Sequence, residues 1–170
     1  MKRIAIIGNS GGGKSLFANK LGGKLDVPVY NFDDLQWKPG WHKAEDNEIL
    51  AVHDQWLSQP SWVIDGWGNW EIIKERFEVA DTLIFIDQPL WVHYWWAVKR
   101  QGKAIIFRNM DWPPDGCPAW KVTGRLLKLI WTIHTEKRQI LIEIIRGYSG
   151  GKRIIEIRSP QDFQSILDGA

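Results

Sequence analysis

The sequence predicts an α/β protein built on a parallel sheet. Short apolar runs alternate with stretches of helical periodicity, and a glycine-rich loop follows the first run. This alternation is typical of strand–helix–strand units, whose strands lie parallel. The predicted strands are Arg3–Ile7, Val27–Asn31, Trp62–Asp65, Thr82–Ile86 and Arg153–Arg158. The predicted helices are Lys14–Leu25, Lys43–Ser58, Asn69–Val79, Pro89–Arg100, Ala119–Arg146 and Pro160–Leu167.

The glycine-rich loop, Gly8 to Ser15, matches the phosphate-binding pattern G-x-x-x-x-G-K-[ST] in full and lies between a predicted strand and helix. Glycines let backbone N–H groups turn towards a phosphate that a Cβ would crowd. Lys14 can reach the β- and γ-phosphates, and the Ser15 hydroxyl can coordinate Mg²⁺. The loop therefore predicts a nucleoside triphosphate as partner, with ATP and Mg²⁺ as cofactors. The predicted nucleotide-binding residues are Gly8, Ser10, Gly11, Gly12, Gly13, Lys14 and Ser15.

The bulk composition is that of one globular domain spanning residues 1–170, with 44% hydrophobic and 25% charged residues. The single cysteine, Cys117, excludes an intrachain disulfide and a multi-cysteine zinc site, and indicates a cytoplasmic protein. No apolar run is long enough to span a bilayer and no signal peptide is apparent, so no membrane partner is expected.

Charge is distributed unevenly along the chain. The net charge is +2, but residues 1–90 carry −4 and residues 91–170 carry +6. Two interpretations remain open: a cationic face towards phosphates, or an ordinary solvated surface. A nucleic-acid partner is possible but no motif supports it.

Two segments interrupt the alternation. Residues from about 33 to 60 form a long excursion with the turn signal Lys38-Pro39-Gly40, and we expect it to bind the acceptor. Residues from about 101 to 118 are rich in proline, glycine and aspartate. The second segment is expected to be a lid, because phosphoryl transfer needs water kept out of the site; a rigid surface loop is the alternative.

Candidate cations flank the predicted lid. Arg100 ends the helix that enters it, and Arg125 and Arg138 lie on the helix that leaves it. Arginines that close over phosphates stabilise a transferring phosphoryl group. Each of the three is equally explained as a solvated surface residue.

Acidic residues follow three of the predicted strands. Asp87 follows an apolar strand, as a Walker B acid that orients Mg²⁺ does. Asp33 and Asp34 follow the second strand, and Asp65-Gly66-Trp67 ends the third. In parallel sheets these ends meet at one crevice. Asp33 could take the proton of a hydroxyl acceptor, although a capping role in the following turn explains it equally.

Twelve tryptophans are unusual in a chain of this size. The spacing of Trp91, Trp95 and Trp96 favours one buried helical face. Trp67 and Trp70 lie beside the expected site and are candidates for stacking on a ligand.

The chain resembles a family of adenylate-kinase-related proteins often named DNA topology modulation protein FlaR. The resemblance rests on the loop Gly8–Ser15, the segment Val29–Trp41 with its Trp-Lys-Pro-Gly-Trp element, Trp62–Gly66, Ala80–Asp87 and Gly116–Pro118. It implies a P-loop NTPase fold of the nucleoside-monophosphate-kinase type: three α/β/α layers, a five-stranded parallel sheet of order 2-3-1-4-5, and a short lid. It places Asp33, Gly66 and Arg76 on the acceptor side, and Arg100 and Arg138 near the phosphates.

Two functions follow as expectations. In the leading one, a Mg²⁺-dependent phosphotransferase moves the γ-phosphoryl group of ATP to a nucleotide or small-molecule acceptor. Lys14, Arg138, Arg100 and Asp33 would be catalytic, Asp33, Gly66, Trp67 and Arg76 would bind the acceptor, and Ser15 and Asp87 would hold the metal. In the alternative, a nucleotide-binding regulatory ATPase affects DNA topology or gene expression without a small-molecule acceptor.

Overall fold

The computed structural model of the protein describes residues 1–106 and 116–169. The central part of the predicted lid, residues 107–115, therefore lies outside the described residues. The strands of the main sheet are β1 Arg3–Gly8, β2 Val29–Asn31, β3 Trp62–Asp65, β4 Thr82–Ile86 and β5 Arg153–Ile157. The α-helices are α1 Lys14–Leu25, α2 Phe32–Gln36, α3 Asp46–Leu57, α4 Trp70–Val79, α5 Leu90–Ile106, α6 Thr123–Thr132, α7 Arg138–Gly147 and α8 Pro160–Asp168.

The main sheet has five parallel strands in the order β2-β3-β1-β4-β5, which confirms the expected order 2-3-1-4-5. β1 lies at the centre, with Ala5 opposite Ile64 of β3 and Leu83 of β4. Its apolar residues are continuous because both faces of the strand are covered by helices.

Successive side chains of β1 point to opposite faces and define the two cores. Ala5 and Ile7 pack with α4 and α7 through residues such as Phe77 and Leu141. Ile4 and Ile6 pack on the other face with α1 and α8, through residues that include Phe17, Ala18, Leu21 and Leu167. The structure is therefore a three-layer α/β/α arrangement.

The predicted helix over residues 119–146 is interrupted in the structure. A short 3₁₀ turn, Ala119–Lys121, precedes α6, and a π-helical turn, Ile133–Lys137, separates α6 from α7. No proline or glycine marks the π-helical turn in the sequence, so the helix was predicted to continue through it.

The excursion between β2 and β3 contains, directly after α2, a small hairpin that sequence patterning did not predict. Trp37–Lys38 pairs antiparallel with His42–Lys43 around the 3₁₀ turn Pro39–Trp41. Because this pairing uses residues 42 and 43, α3 begins at Asp46 rather than at Lys43.

The prediction that Trp91, Trp95 and Trp96 are buried is wrong. Their exposed fractions are 69%, 62% and 47%. Helix α5 instead turns His93 and Ala97 inwards, and both are almost fully buried. None of the helices in the described ranges has the length and apolarity needed to cross a bilayer.

Gly8 ends β1 where no side chain fits, which gives a stability test. Its φ is +152°, and a Cβ there would lie 2.3 Å from the carbonyl oxygen of Ile86. We expect Gly8→Ala to lower the free energy of unfolding by about 2–4 kcal/mol, through backbone strain and steric overlap. Urea denaturation followed by circular dichroism measures this change.

The matched control is Gly23→Ala in α1, where no described atom lies within 4 Å of the added Cβ. Alanine there should raise the free energy of unfolding by about 0.5–1 kcal/mol, because it favours the helix. Equal effects of the two substitutions would contradict the steric argument for Gly8.

Candidate active site

The loop between β1 and α1 adopts the conformation that its glycines were predicted to permit. Gly11 and Gly13 have left-handed φ values of 75° and 80°, and α1 begins at Lys14 immediately afterwards. A Cβ on Gly11 would lie 2.3 Å from the carbonyl oxygen of His93. The loop therefore packs directly against α5, and its backbone donors lie at a helix N-terminus, where anions bind.

His93 ties the loop to α5. Its Nδ1 lies 3.0 Å from the carbonyl oxygen of Ser10, and its Nε2 lies 3.1 Å from that of Gln88. Burial, with a smaller effect of the Lys14 charge, lowers the pKa of His93 to about 4. The imidazole is therefore neutral at pH 7 and donates to one of the two carbonyls. His93 is thus a buried packing residue that holds the loop against α5.

Lys14 lies across the loop. Its Nζ donates a hydrogen bond to the carbonyl oxygen of Asn9 at 3.0 Å, and the residue is only 9% exposed. Burial lowers the pKa of Lys14, and this effect is partly offset by the charges of Asp33 and Asp65. A bound phosphate would supply the further negative charge that a buried ammonium lacks.

Ser15 contacts Asp65 rather than the acid that sequence analysis placed at the metal. The Ser15 hydroxyl donates to Oδ2 of Asp65 at 2.8 Å. Asp65 is 1% exposed, and its Oδ1 has no hydrogen-bond partner among the described residues. Burial raises the pKa of Asp65 to about 6, against the opposing effects of Lys14 and Ser15. An orphaned carboxylate oxygen beside a loop serine fits the oxygen ligands that Mg²⁺ prefers.

Asp87 and Arg138, predicted as separate metal and phosphate residues, are paired with each other. Arg138 Nε donates to Asp87 Oδ1 at 2.7 Å, and Nη2 donates to Oδ2 at 2.6 Å. This bidentate bond raises the pKa of Arg138 and fixes the first turn of α7 against the end of β4. The pair lines a small cavity beside Asn9 and His93.

A cleft of about 430 Å³ opens from the loop. Ser10, Lys14, Asp33, Trp67 and Arg100, all predicted site residues, line it, as does the lid candidate Arg125. The described lining residues also include side chains of the excursion and of the α6–α7 region, among them Trp37, Trp41, Lys43, Asp46, Leu129, Ile133 and Lys137. The cleft thus brings five cations together with two carboxylates, and its charge favours anionic ligands.

Gly66 and Arg76 lie behind the cleft wall and are not among its lining residues. The Arg76 Nη1 donates to the carbonyl oxygen of Gly66 at 3.0 Å, and the guanidinium lies 5.4 Å from the centroid of Phe32. Burial lowers the pKa of Arg76 to about 10, against the opposing charges of Asp65 and Asp33. Phe32 does line the cleft, so Arg76 supports that wall from within.

Trp67 joins the loop to a lysine that the sequence argument did not single out. The indole N–H of Trp67 donates to the carbonyl oxygen of Gly8 at 2.7 Å, and Lys137 Nζ lies 5.5 Å from its ring centroid. Lys137 ends the π-helical turn, a type of helix irregularity often found at functional sites. The sequence signal for Lys137 was the polar stretch Glu136–Gln139 within an apolar helical pattern, but only Arg138 was predicted from it.

The hairpin of the excursion is bonded to the residues that follow the central lid segment. Gly40 N–H donates to the carbonyl oxygen of Gly116 at 2.8 Å, and the Trp41 indole donates to that of Pro118 at 3.0 Å. Cys117 between them is buried. The excursion and the end of the predicted lid are therefore connected.

Comparison with known proteins supports the fold. No protein-family model matches the sequence, and neither does any curated protein. Among solved structures, the chain is similar to a shikimate kinase from Acinetobacter baumannii in complex with shikimate, with 11% identity and a TM-score of 0.59 over 99% of this chain and 90% of that one. The likeness confirms the predicted three-layer α/β/α fold with its five-stranded parallel sheet and, at this identity, shows the fold alone.

The raised pKa of Asp65 predicts a pH dependence of stability. Its folded-state pKa of about 6 exceeds the ordinary 3.8, so its contribution is present in full below about pH 4 and is lost as pH rises through 6. Over that interval we expect the free energy of unfolding to fall by about 3 kcal/mol relative to an Asp65→Asn variant. Urea denaturation of both proteins between pH 4 and 7 measures the difference. If the free energy of unfolding had the same pH dependence in both proteins, the raised pKa of Asp65 would be contradicted.

Proposed function

We propose that this protein is a Mg²⁺-dependent phosphotransferase that moves the γ-phosphoryl group of ATP to an acceptor bound in the cleft. The observation that carries the proposal is the position of Lys14: it belongs to the phosphate loop and also lines a cleft with four further cations from other elements. Phosphoryl transfer depends chiefly on positioning and charge stabilisation, and such an arrangement supplies both.

On the donor side, the loop amides and Lys14 bind the β- and γ-phosphates. Ser15 and Asp65 hold the metal, which when bound neutralises charge on those phosphates. Asp65 takes the role first assigned to Asp87, because Asp65 accepts the Ser15 hydrogen bond and has an unpartnered oxygen, whereas Asp87 is occupied by Arg138.

Cations that face the cleft stabilise the transferring group. Arg100 and Lys137 both line it, from α5 and from the π-helical turn. Arg138 stays a candidate for this role. Its bond to Asp87 also anchors the chain directly after Lys137, so Arg138 helps to position Lys137. We propose Lys137 as a phosphate-binding residue alongside Arg100.

On the acceptor side, Asp33 orients the acceptor or takes its proton. The cleft walls include the indoles of Trp37, Trp41 and Trp67, which suit a flat or apolar acceptor body. The resemblance to adenylate-kinase-related proteins favours a nucleotide, and the structural neighbour bound to shikimate favours a small hydroxyl compound. Asp33 is needed only for the second type, because a phosphate acceptor is already a nucleophile.

The proposal predicts phosphoryl transfer that depends on Lys14. Incubation with γ-labelled ATP, Mg²⁺ and a panel of nucleoside monophosphates and small hydroxy acids, shikimate among them, should yield at least one labelled product. Lys14→Ala should lower kcat/KM by about 100-fold or more, since it removes a charge aimed at the developing phosphoryl charge. The exposed Lys20 of the same helix provides the control, Lys20→Ala, which should act like the unmodified protein. If the protein binds ATP but yields no labelled product with any compound of the panel, the proposed phosphotransferase activity is contradicted.

The metal assignment predicts different effects of two aspartates. Asp65→Asn should raise the Mg²⁺ concentration for half-maximal activity by about 10-fold or more, because it removes a carboxylate that holds or orients the metal. Asp87→Asn should leave that concentration near its original value while lowering thermal stability, through loss of the Arg138 ion pair. Metal titrations of the two variants compare them directly. A large Mg²⁺ shift in Asp87→Asn alone would restore the sequence-based assignment.

A further inference from the structure

Helix α5 carries an exposed apolar row on the side away from the phosphate loop. Trp91, Trp95 and Val98 are 69%, 62% and 55% exposed, and their spacing of four and three residues places them on one helix face. Single exposed apolar residues are ordinary, but contiguous ones mark interaction surfaces.

Helix α6 extends this row. The Tyr94 hydroxyl donates to the carbonyl oxygen of Leu127 at 3.3 Å and joins the two helices. Trp91 precedes Tyr94 by one turn and Val98 follows it by one turn, while Trp131 follows Leu127 by one turn. Trp131 is 54% exposed and lies one turn after the Leu127 contact with α5, so we include it with the α5 row. These four residues, Trp91, Trp95, Val98 and Trp131, are called the tryptophan face below.

In the described parts of α5 and α6, the charged residues that accompany the tryptophan face are cationic. In the described ranges 88–106 and 116–135 there is no aspartate or glutamate. The lysines of these ranges are Lys99, Lys103, Lys121 and Lys128, whereas Arg100 and Arg125 line the cleft. Two of these lysines lie over indole rings: Lys99 Nζ is 4.9 Å from the Trp96 centroid and Lys121 Nζ is 5.6 Å from that of Trp120. An anionic partner surface is complementary to this arrangement.

We propose that the tryptophan face binds the surface of an anionic lipid bilayer. Indoles have an apolar body and one polar N–H, and lie at the level of lipid headgroups, while neighbouring lysines contact the lipid phosphates. The helices would lie along the surface without crossing it, which departs from the expectation that no membrane takes part. Because α5 contacts the phosphate loop through His93, this binding would hold the active site close to the bilayer.

Two other occupants fit the surface less well. A symmetric dimer through the tryptophan face would bring the lysines of both copies together, and their like charges would repel. Single-stranded nucleic acid needs a basic groove with free aromatic faces for base stacking. The tryptophan face lines neither of the two cavities described above, and the neighbouring rings of Trp96 and Trp120 each have a lysine of the chain over them.

Co-sedimentation with vesicles tests the proposal. We expect the full chain to bind vesicles of equimolar phosphatidylcholine and phosphatidylglycerol, to bind phosphatidylcholine alone far more weakly, and to show a blue shift of tryptophan emission when bound. Trp91→Ser/Trp95→Ser should lower the partition coefficient by about 10-fold or more, because it removes apolar area from the lipid contact. Lys99→Glu/Lys103→Glu should lower it further at low salt than at high salt.

The matched control is Lys20→Glu/Lys74→Glu, which makes the same charge change at exposed positions of α1 and α4. It should keep the partition coefficient within about twofold of the original, because both lysines lie outside the tryptophan face. Circular dichroism confirms that each variant is folded. Failure to bind anionic vesicles at low salt overturns the proposal. The proposal is also overturned if the protein forms a dimer, or binds an oligothymidylate, and the Trp91→Ser/Trp95→Ser variant loses that dimer or that binding.

Discussion

The burial of opposite charges at the carboxyl ends of β1 and β3 is the constraint on which the active site depends. Lys14 and Asp65 are each more than 90% buried, and each lies in the field of the other. An isolated charge at such depth is strongly destabilising, so the two are tolerated together rather than separately. Their compensation is incomplete, because Asp65 retains an unpartnered oxygen and burial still lowers the pKa of Lys14. The site is thereby suited to a phosphate and a cation, which complete both interactions.

Arg76 extends the same charge balance to the cleft wall. It is fully buried, and Asp65 and Asp33 offset its desolvation. Its guanidinium bonds the carbonyl oxygen of Gly66 and stacks on Phe32, so it fixes the turn after β3 and the aromatic residue that begins α2. The charge that balances Asp65 thus also shapes the cleft wall at Phe32, so in the proposed reaction the metal side and the acceptor side would share one electrostatic support.

The sequence predicted those parts of the molecule that local chemistry determines. The spans of α1, β3 and β4 agree with the structure, because glycine-rich and apolar runs mark their ends. The sheet order came from the family resemblance, since spacing alone does not specify which strands are neighbours. The sequence did not predict which side chains far apart in the chain contact each other. Both Asp65 and Asp87 follow a strand, and only the tertiary structure shows that Ser15 meets the first and Arg138 the second. The prediction that the α5 tryptophans are buried was wrong for a related reason: helical spacing identifies residues that share a face, but it does not show whether that face is buried.

Contacts outside the nucleotide loop connect the parts of the chain that line the cleft: the excursion, the α6–α7 region and the loop itself. The excursion hairpin is bonded to Gly116 and Pro118, and these residues lead through a 3₁₀ turn into α6. Helix α6 runs into the π-helical turn, whose last residue, Lys137, lies over Trp67, and Trp67 bonds the carbonyl oxygen of Gly8 at the start of the loop. The excursion, Lys137 and Trp67 therefore belong to one connected set of hydrogen bonds and packed helices. In the proposed phosphotransferase, this set of contacts would couple the wall that binds the acceptor to Lys137 and to the start of the loop, because each step is a hydrogen bond or a packed helix.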